Sequence, residues 1–178
     1  MTTGSGQGHG TNGDAHRRRG TNGARTGLGR RWLSALVVGA GGASALTLSH
    51  EIVRQLVPDA PRLDRLGGAA LSRVLAGAGV KAPRGERLRG LALVMDLVAN
   101  AAWYAPVAAP SARPLRRGLL LGLVAGLGAV ALPPLLGLPR RARGDTLAGV
   151  AMTVGLYTLG GLAAAAVARW RASAPLEA

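Results

Sequence analysis

Asp96 carries the strongest chemical implication in this sequence. It stands inside "LRGLALVMDLVANAAWYAPVAAP", where no other charge lies between Arg89 and Arg113. An ionisable side chain in such a run costs about 2.5–3.5 kcal/mol to place in hydrocarbon, so it needs a reason to be there. Asn100 follows one helical turn later on the same face. Two chemistries fit: a proton or cation site, or a protonated or hydrogen-bonded aspartate that staples helices together. Thr153, Tyr157 and Gly161 repeat at four-residue spacing on a later apolar run and share one helical face. At 1.5 Å per residue, Asp96 and Thr153 lie roughly 10 and 12 Å below the same membrane surface. That depth predicts hydrogen bonds from Thr153 and Tyr157 to Asp96 or Asn100.

A second group, His50, Glu51 and Arg54, closes the first apolar run in "SHEIVRQLV". Spacings of three and four put these residues on one helix edge. The group reads either as an interfacial charge cluster anchoring the helix end, or as the rim of a polar site whose floor is Asp96. "HEIVR" begins like a zinc-protease helix, but Arg54 occupies the place of the second histidine, and the remaining histidines, His9 and His16, sit near the N-terminus. A paired-aspartate intramembrane protease would need a second aspartate within a span. Ser44 and Ser49 lie in no nucleophile elbow, and "GAGGAS" precedes no lysine that could hold a phosphate. No catalytic residue, metal or cofactor is assigned.

The rest of the sequence must place these side chains in a bilayer. Of 178 residues 48% are hydrophobic, 17% charged and 3% aromatic, and there is no cysteine. A soluble domain carries more charge and more aromatic area. The net charge of +14 is almost wholly arginine, gathered at the ends of apolar runs. Arginines so placed meet anionic lipid headgroups. Without interleaved aromatic residues they do not form a nucleic-acid surface.

The expected fold is all-α: four transmembrane helices in one bundle, near 33–57, 88–109, 118–138 and 146–168. Residues 1–31 form a basic, disordered N-terminal tail, residues 32–172 the membrane domain, and residues 173–178 a short C-terminal tail. Residues 59–87 are too charged to span and predict an amphipathic helix lying in the interface. Arg30, Arg31 and Trp32 with Ala43-Ser44-Ala45 also resemble a twin-arginine signal and its cleavage site, the rival reading of the first span. Pro133-Pro134 should kink or end the third span. Gly118, Gly122 and Gly126 allow close helix contact, either with a small-residue face at Gly161 and Ala165 or in a homodimer. The tail before the first span is the densest basic block, which favours cytoplasmic termini.

His50-Glu51, Arg54, Val57-Pro58-Asp59-Ala60-Pro61-Arg62, Asp64 and Leu66-Gly67 resemble a signature of small uncharacterised bacterial four-span membrane proteins. Asp96, Asn100, Tyr104, Leu156-Tyr157 and Gly160-Gly161 are similar to the remainder of that pattern. The resemblance implies an inner-membrane location and no established activity. The expected function is a non-enzymatic membrane scaffold or accessory protein, with lipid and a possible second copy as partners. A proton or cation pathway through Asp96 is the alternative, and a membrane-embedded enzyme using His50 and Glu51 the third.

Overall fold

The computed structural model describes residues 12–57, 63–110, 113–135, 137 and 146–173. Most of the proline-rich signature after Val57, the Arg140 to Asp145 linker and most of the C-terminal tail lie outside them. Among the described residues there is no strand. The elements are α1 (Asn12–Leu56), α2 (Leu63–Gly77), α3 (Glu86–Tyr104) with a 3-10 turn at Ala105–Ala108, α4 (Pro114–Leu135) and α5 (Leu147–Ser173). Two compact units are delimited, Met1–Leu33 and Ser34–Ala178. In the first, the backbone is helical from Asn12. The helix crossings and the buried polar side chains belong to the second.

Four helices are long and apolar enough to cross a bilayer: Gly29–Leu56, Glu86–Ala108, Pro114–Leu135 and Leu147–Ser173. In hydrocarbon a helix is the local structure that pairs its own backbone groups. Where the chain leaves the helices, end signals are visible. Gly79, at φ +73°, terminates α2 in a Schellman motif: Val80 N–H donates to Leu75 O at 2.8 Å and Gly79 N–H to Ala76 O at 3.0 Å. Pro114 opens α4, at the position where a missing N–H does no harm. Thr146 caps α5, its Oγ1 accepting from Gly149 N–H at 3.1 Å.

Helix α4 is described from Pro114 to Leu135; Leu138, the expected end of the third span, lies outside the described residues. Pro133 and Pro134 sit in the last described turn of α4. They leave the Ala129 and Val130 carbonyls without i+4 donors. Helix α5 continues to Ser173.

Within Ser34–Ala178, α5 runs antiparallel to both α1 and α4. Small residues set these crossings. A Cβ on Gly118 would strike Gly161 O, and one on Gly161 would strike Gly118 O. A Cβ on Gly122 would lie 2.6 Å from Thr158 Cα, and one on Gly126 2.7 Å from Val154 Cα. The glycine stripe of α4 therefore faces α5 of the same chain. On the other flank of α5, a Cβ on Gly42 would meet Ala164 Cβ at 2.8 Å and Gly160 O at 2.9 Å, and one on Gly39 would strike Ala101 O of α3. "GAGG", which lies mid-span, thus serves as the crossing point of α1 with α3 and α5.

Side chains tie the remaining joints. Trp103 Nε1 donates to Leu121 O at 3.0 Å, linking α3 to α4. Arg117 Nη1 donates to Pro106 O at 3.1 Å, which also accepts from Ala109 N–H, and to Ala109 O at 2.9 Å, tying α4 to the 3-10 turn. Helix α2 lies against the first half of α3, with Gly67 towards Ala92 and Gly68 towards Leu88.

Candidate functional site

Past their arginine-bearing ends, the polar side chains within the four long apolar helices come from α1, α3 and α5. Leu46 of α1 is fully buried beside Gly160. One turn further on, the His50 ring meets the Tyr157 ring edge-on, with centroids 5.9 Å apart and planes at 77°. His50 Nε2 and Thr47 Oγ1, one turn apart on α1, are both shielded from solvent and have no hydrogen-bond partner. Each such atom costs about 1–3 kcal/mol to leave unpaired.

Glu51 and Arg54 do not join His50. Successive helical residues diverge by about 100°, so His50 turns inward while Glu51 stays outside. There Arg54 Nη2 donates to Glu51 Oε1 at 2.7 Å, and Gln55 Nε2 to the same oxygen at 2.8 Å. The expected three-residue edge is therefore divided. An exposed pair of this kind contributes little to stability.

On α3, Ala92, Asp96, Asn100 and Tyr104 follow at four-residue steps and form one stripe. Ala92 is buried against α2, and Asn100 and Tyr104 are buried, but Asp96, between Ala92 and Asn100, is exposed. Asn100 Nδ2 donates to Asp96 O, the backbone carbonyl, at 2.9 Å.

Thr153 of α5 is 1% exposed, and its Oγ1 donates to Gly149 O at 2.9 Å. Among the described residues no hydrogen bond joins Thr153 or Tyr157 to Asp96 or Asn100. The hydroxyl of a helical threonine reaches the carbonyl one turn back without crossing to another helix, and that local bond displaces the expected one. The interhelical bond comes from a residue the sequence marks only by its aromatic ring. Tyr104 OH donates to Tyr157 O at 2.7 Å, and the tyrosine is fully buried among Gly42 and Gly160. Thr47 likewise carries no sequence signal beyond its three-residue offset from His50.

Among the described residues, no three of His, Asp and Glu converge in a way that would hold a metal ion. What the arrangement offers is an open carboxyl group, an imidazole nitrogen and a hydroxyl, all within helices of membrane-crossing length. The class so defined is an all-helical protein with four such helices and a polar seam between α1, α3 and α5. The chain matches no protein-family model, no curated protein and no solved structure.

Proposed function

We propose that this is a small multi-pass protein of a bacterial inner membrane that works without catalysis, as a scaffold or accessory subunit. The observation that carries this reading is where the polar side chains direct their hydrogen bonds. Tyr104, Trp103, Asn100 and Thr153 all donate to backbone carbonyls, two of them across helices. Such bonds fix packing and leave no activated nucleophile. Asp96 is the exception. A carboxyl group in hydrocarbon is most easily satisfied by another protein group, so we assign it to a partner helix, a second copy being the simplest. Helix α2, with Val74 exposed and Arg73 Nη2 donating to Gly137 O at 3.0 Å, lies in the interface in this reading. The arginines meet anionic headgroups, and the termini face the cytoplasm.

One observation favours a second reading, a proton or cation pathway: Asp96 is open while His50 Nε2 and Thr47 Oγ1 lack partners. Reconstitution separates the two. We expect the wild type to run as an oligomer in mild detergent, Asp96→Leu as a folded monomer, and neither to conduct protons or alkali cations in liposomes. A wild-type flux that falls about tenfold or more in Asp96→Asn would establish the pathway instead.

A further inference from the structure

From Leu91 to Ala99 the first half of α3 is almost bare. Ala92 is buried against α2, and every other residue of the stretch is exposed. The apolar side chains there suit lipid, but Asp96 does not. It lies roughly 10 Å along the axis from Arg89, and a side chain with one methylene cannot reach the surface from there as an arginine can. Among the described residues no ion pair involves its carboxyl group: Glu51 pairs with Arg54, Glu86 with Arg89, and the Asn100 amide bonds the Asp96 backbone carbonyl.

The sequence limits what a second copy can bring to this carboxyl group. Copies inserted the same way are related by an axis along the membrane normal, so each residue meets its neighbour's residues at its own depth. No lysine or arginine lies between Arg31 and Arg54, Arg89 and Arg113, Arg117 and Arg140, or Arg143 and Arg169. His50 of α1 is turned onto Tyr157, with Nε2 shielded. A second copy therefore offers no cation at this depth, but it does offer another Asp96. A carboxyl group that carries its proton is both donor and acceptor. Two of them on a two-fold axis complete each other with a pair of O–H···O bonds and need no counter-charge. The flanks fit such a contact. Leu93 and Ala99 are exposed and lie within about 60° of Asp96 on either side of the helix, and the small Ala99 lets backbones approach. Ala92 and Asn100 are already buried, which limits the open stretch to about two turns and suits a crossing of two helices.

We propose that two copies associate through α3 about a two-fold axis along the membrane normal, with the Asp96 carboxyl groups hydrogen-bonded to each other and Leu93 and Ala99 packed around them. The proposal rests on the reading of Asp96 as a contact between copies, and it adds the helix, the face and the bond.

The chain has no cysteine, so single-cysteine variants report contacts between copies without background. Membrane vesicles from cells expressing the full-length chain are oxidised with copper phenanthroline, and the covalent dimer is read on a denaturing gel. Leu93, Val94 and Val98 are 56%, 55% and 56% exposed, so chance collision would treat them alike. Leu93→Cys and Ala99→Cys should cross-link about tenfold faster than Val94→Cys and Val98→Cys, which lie about 160° from Asp96, because a disulfide needs Cα atoms within about 7 Å. On the Leu93→Cys background, Asp96→Asn should keep the cross-link, since an amide also donates and accepts. Asp96→Leu should slow it about tenfold. Equal rates from Leu93→Cys, Val94→Cys and Val98→Cys, or no slowing by Asp96→Leu, would overturn the proposal. Fast cross-linking of Gly155→Cys, where α5 is bare, with none of Leu93→Cys would overturn it too, and would leave the reading of a second copy standing. A wild type that runs as a monomer in mild detergent removes that reading itself, and it is measured first.

Discussion

Gly161→Val is expected to unfold the α4–α5 seam, with a loss of at least about 3 kcal/mol. The first methyl-bearing carbon at this position would strike Gly118 O and come within 3.1 Å of Gly122 N, and Gly118 faces Gly161 O in return. Both obstacles are backbone, so no rotamer change relieves them, and the helices must separate. Between membrane helices there is no hydrophobic driving force to oppose that separation, because lipid tails are as apolar as leucine. Packing forfeited between α4 and α5 is therefore not regained elsewhere. Gly155 provides the control on the same helix, since a Cβ there meets nothing within 4 Å. Gly155→Ala should stabilise by about 0.4–1 kcal/mol through the unfolded chain. Unfolding in mixed SDS and dodecylmaltoside micelles, followed by circular dichroism, measures both. Equal behaviour of the two variants would mean that α4 and α5 do not pack through this face.

How much of this seam is legible in the sequence is decided by its physics. Gly118, Gly122 and Gly126 recur at the helical repeat, and a face of small residues is a local signal that survives without knowledge of the partner. The four apolar runs are legible for the same reason: length and lack of charge are properties of each segment alone. Pairing is not legible. "GAGG" reads only as part of a span, with no lysine after it to make a phosphate loop. Its role as a crossing point exists only once Ala101 and Ala164 approach it. Tyr104 enters the sequence reading only through the resemblance, and it is fully buried because its neighbours Gly42 and Gly160 leave a ring-sized space that the sequence does not announce. Spacing alone puts His50, Glu51 and Arg54 on one edge, and Thr153 and Tyr157 within reach of Asp96. Arg54 binds Glu51 and leaves His50 Nε2 without a partner, and Thr153 donates to Gly149 O on its own helix. Side-chain direction is decided by the nearest available partner, and helical offsets alone do not rank partners.

Tyr104 carries the second large effect, and its two substitutions separate packing from hydrogen bonding. Tyr104→Phe removes only the bond to Tyr157 O. Such bonds between membrane helices contribute about 0.6 kcal/mol and at most about 1.7. Tyr104→Ala empties a site at the junction of α1, α3 and α5, and should cost about 3–5 kcal/mol. The surroundings cannot collapse inward, because Gly42 and Gly160 have no side chains with which to refill the space. Gly160 gives an internal check. A Cβ there would lie 3.0 Å from Tyr104 Oη, 3.1 Å from Gly42 O and 3.1 Å from Leu46 Cβ, tight against all three. Tyr104→Phe withdraws one of those obstacles. Gly160→Ala should therefore destabilise less on the Tyr104→Phe background than alone, a coupling of about 0.5 kcal/mol or more between residues in contact. A double-mutant cycle in the same micelle assay measures it. Strict additivity would mean that the tyrosine hydroxyl is not seated against Gly160, and the assignment of Tyr104 as the joint of three helices would fall with it.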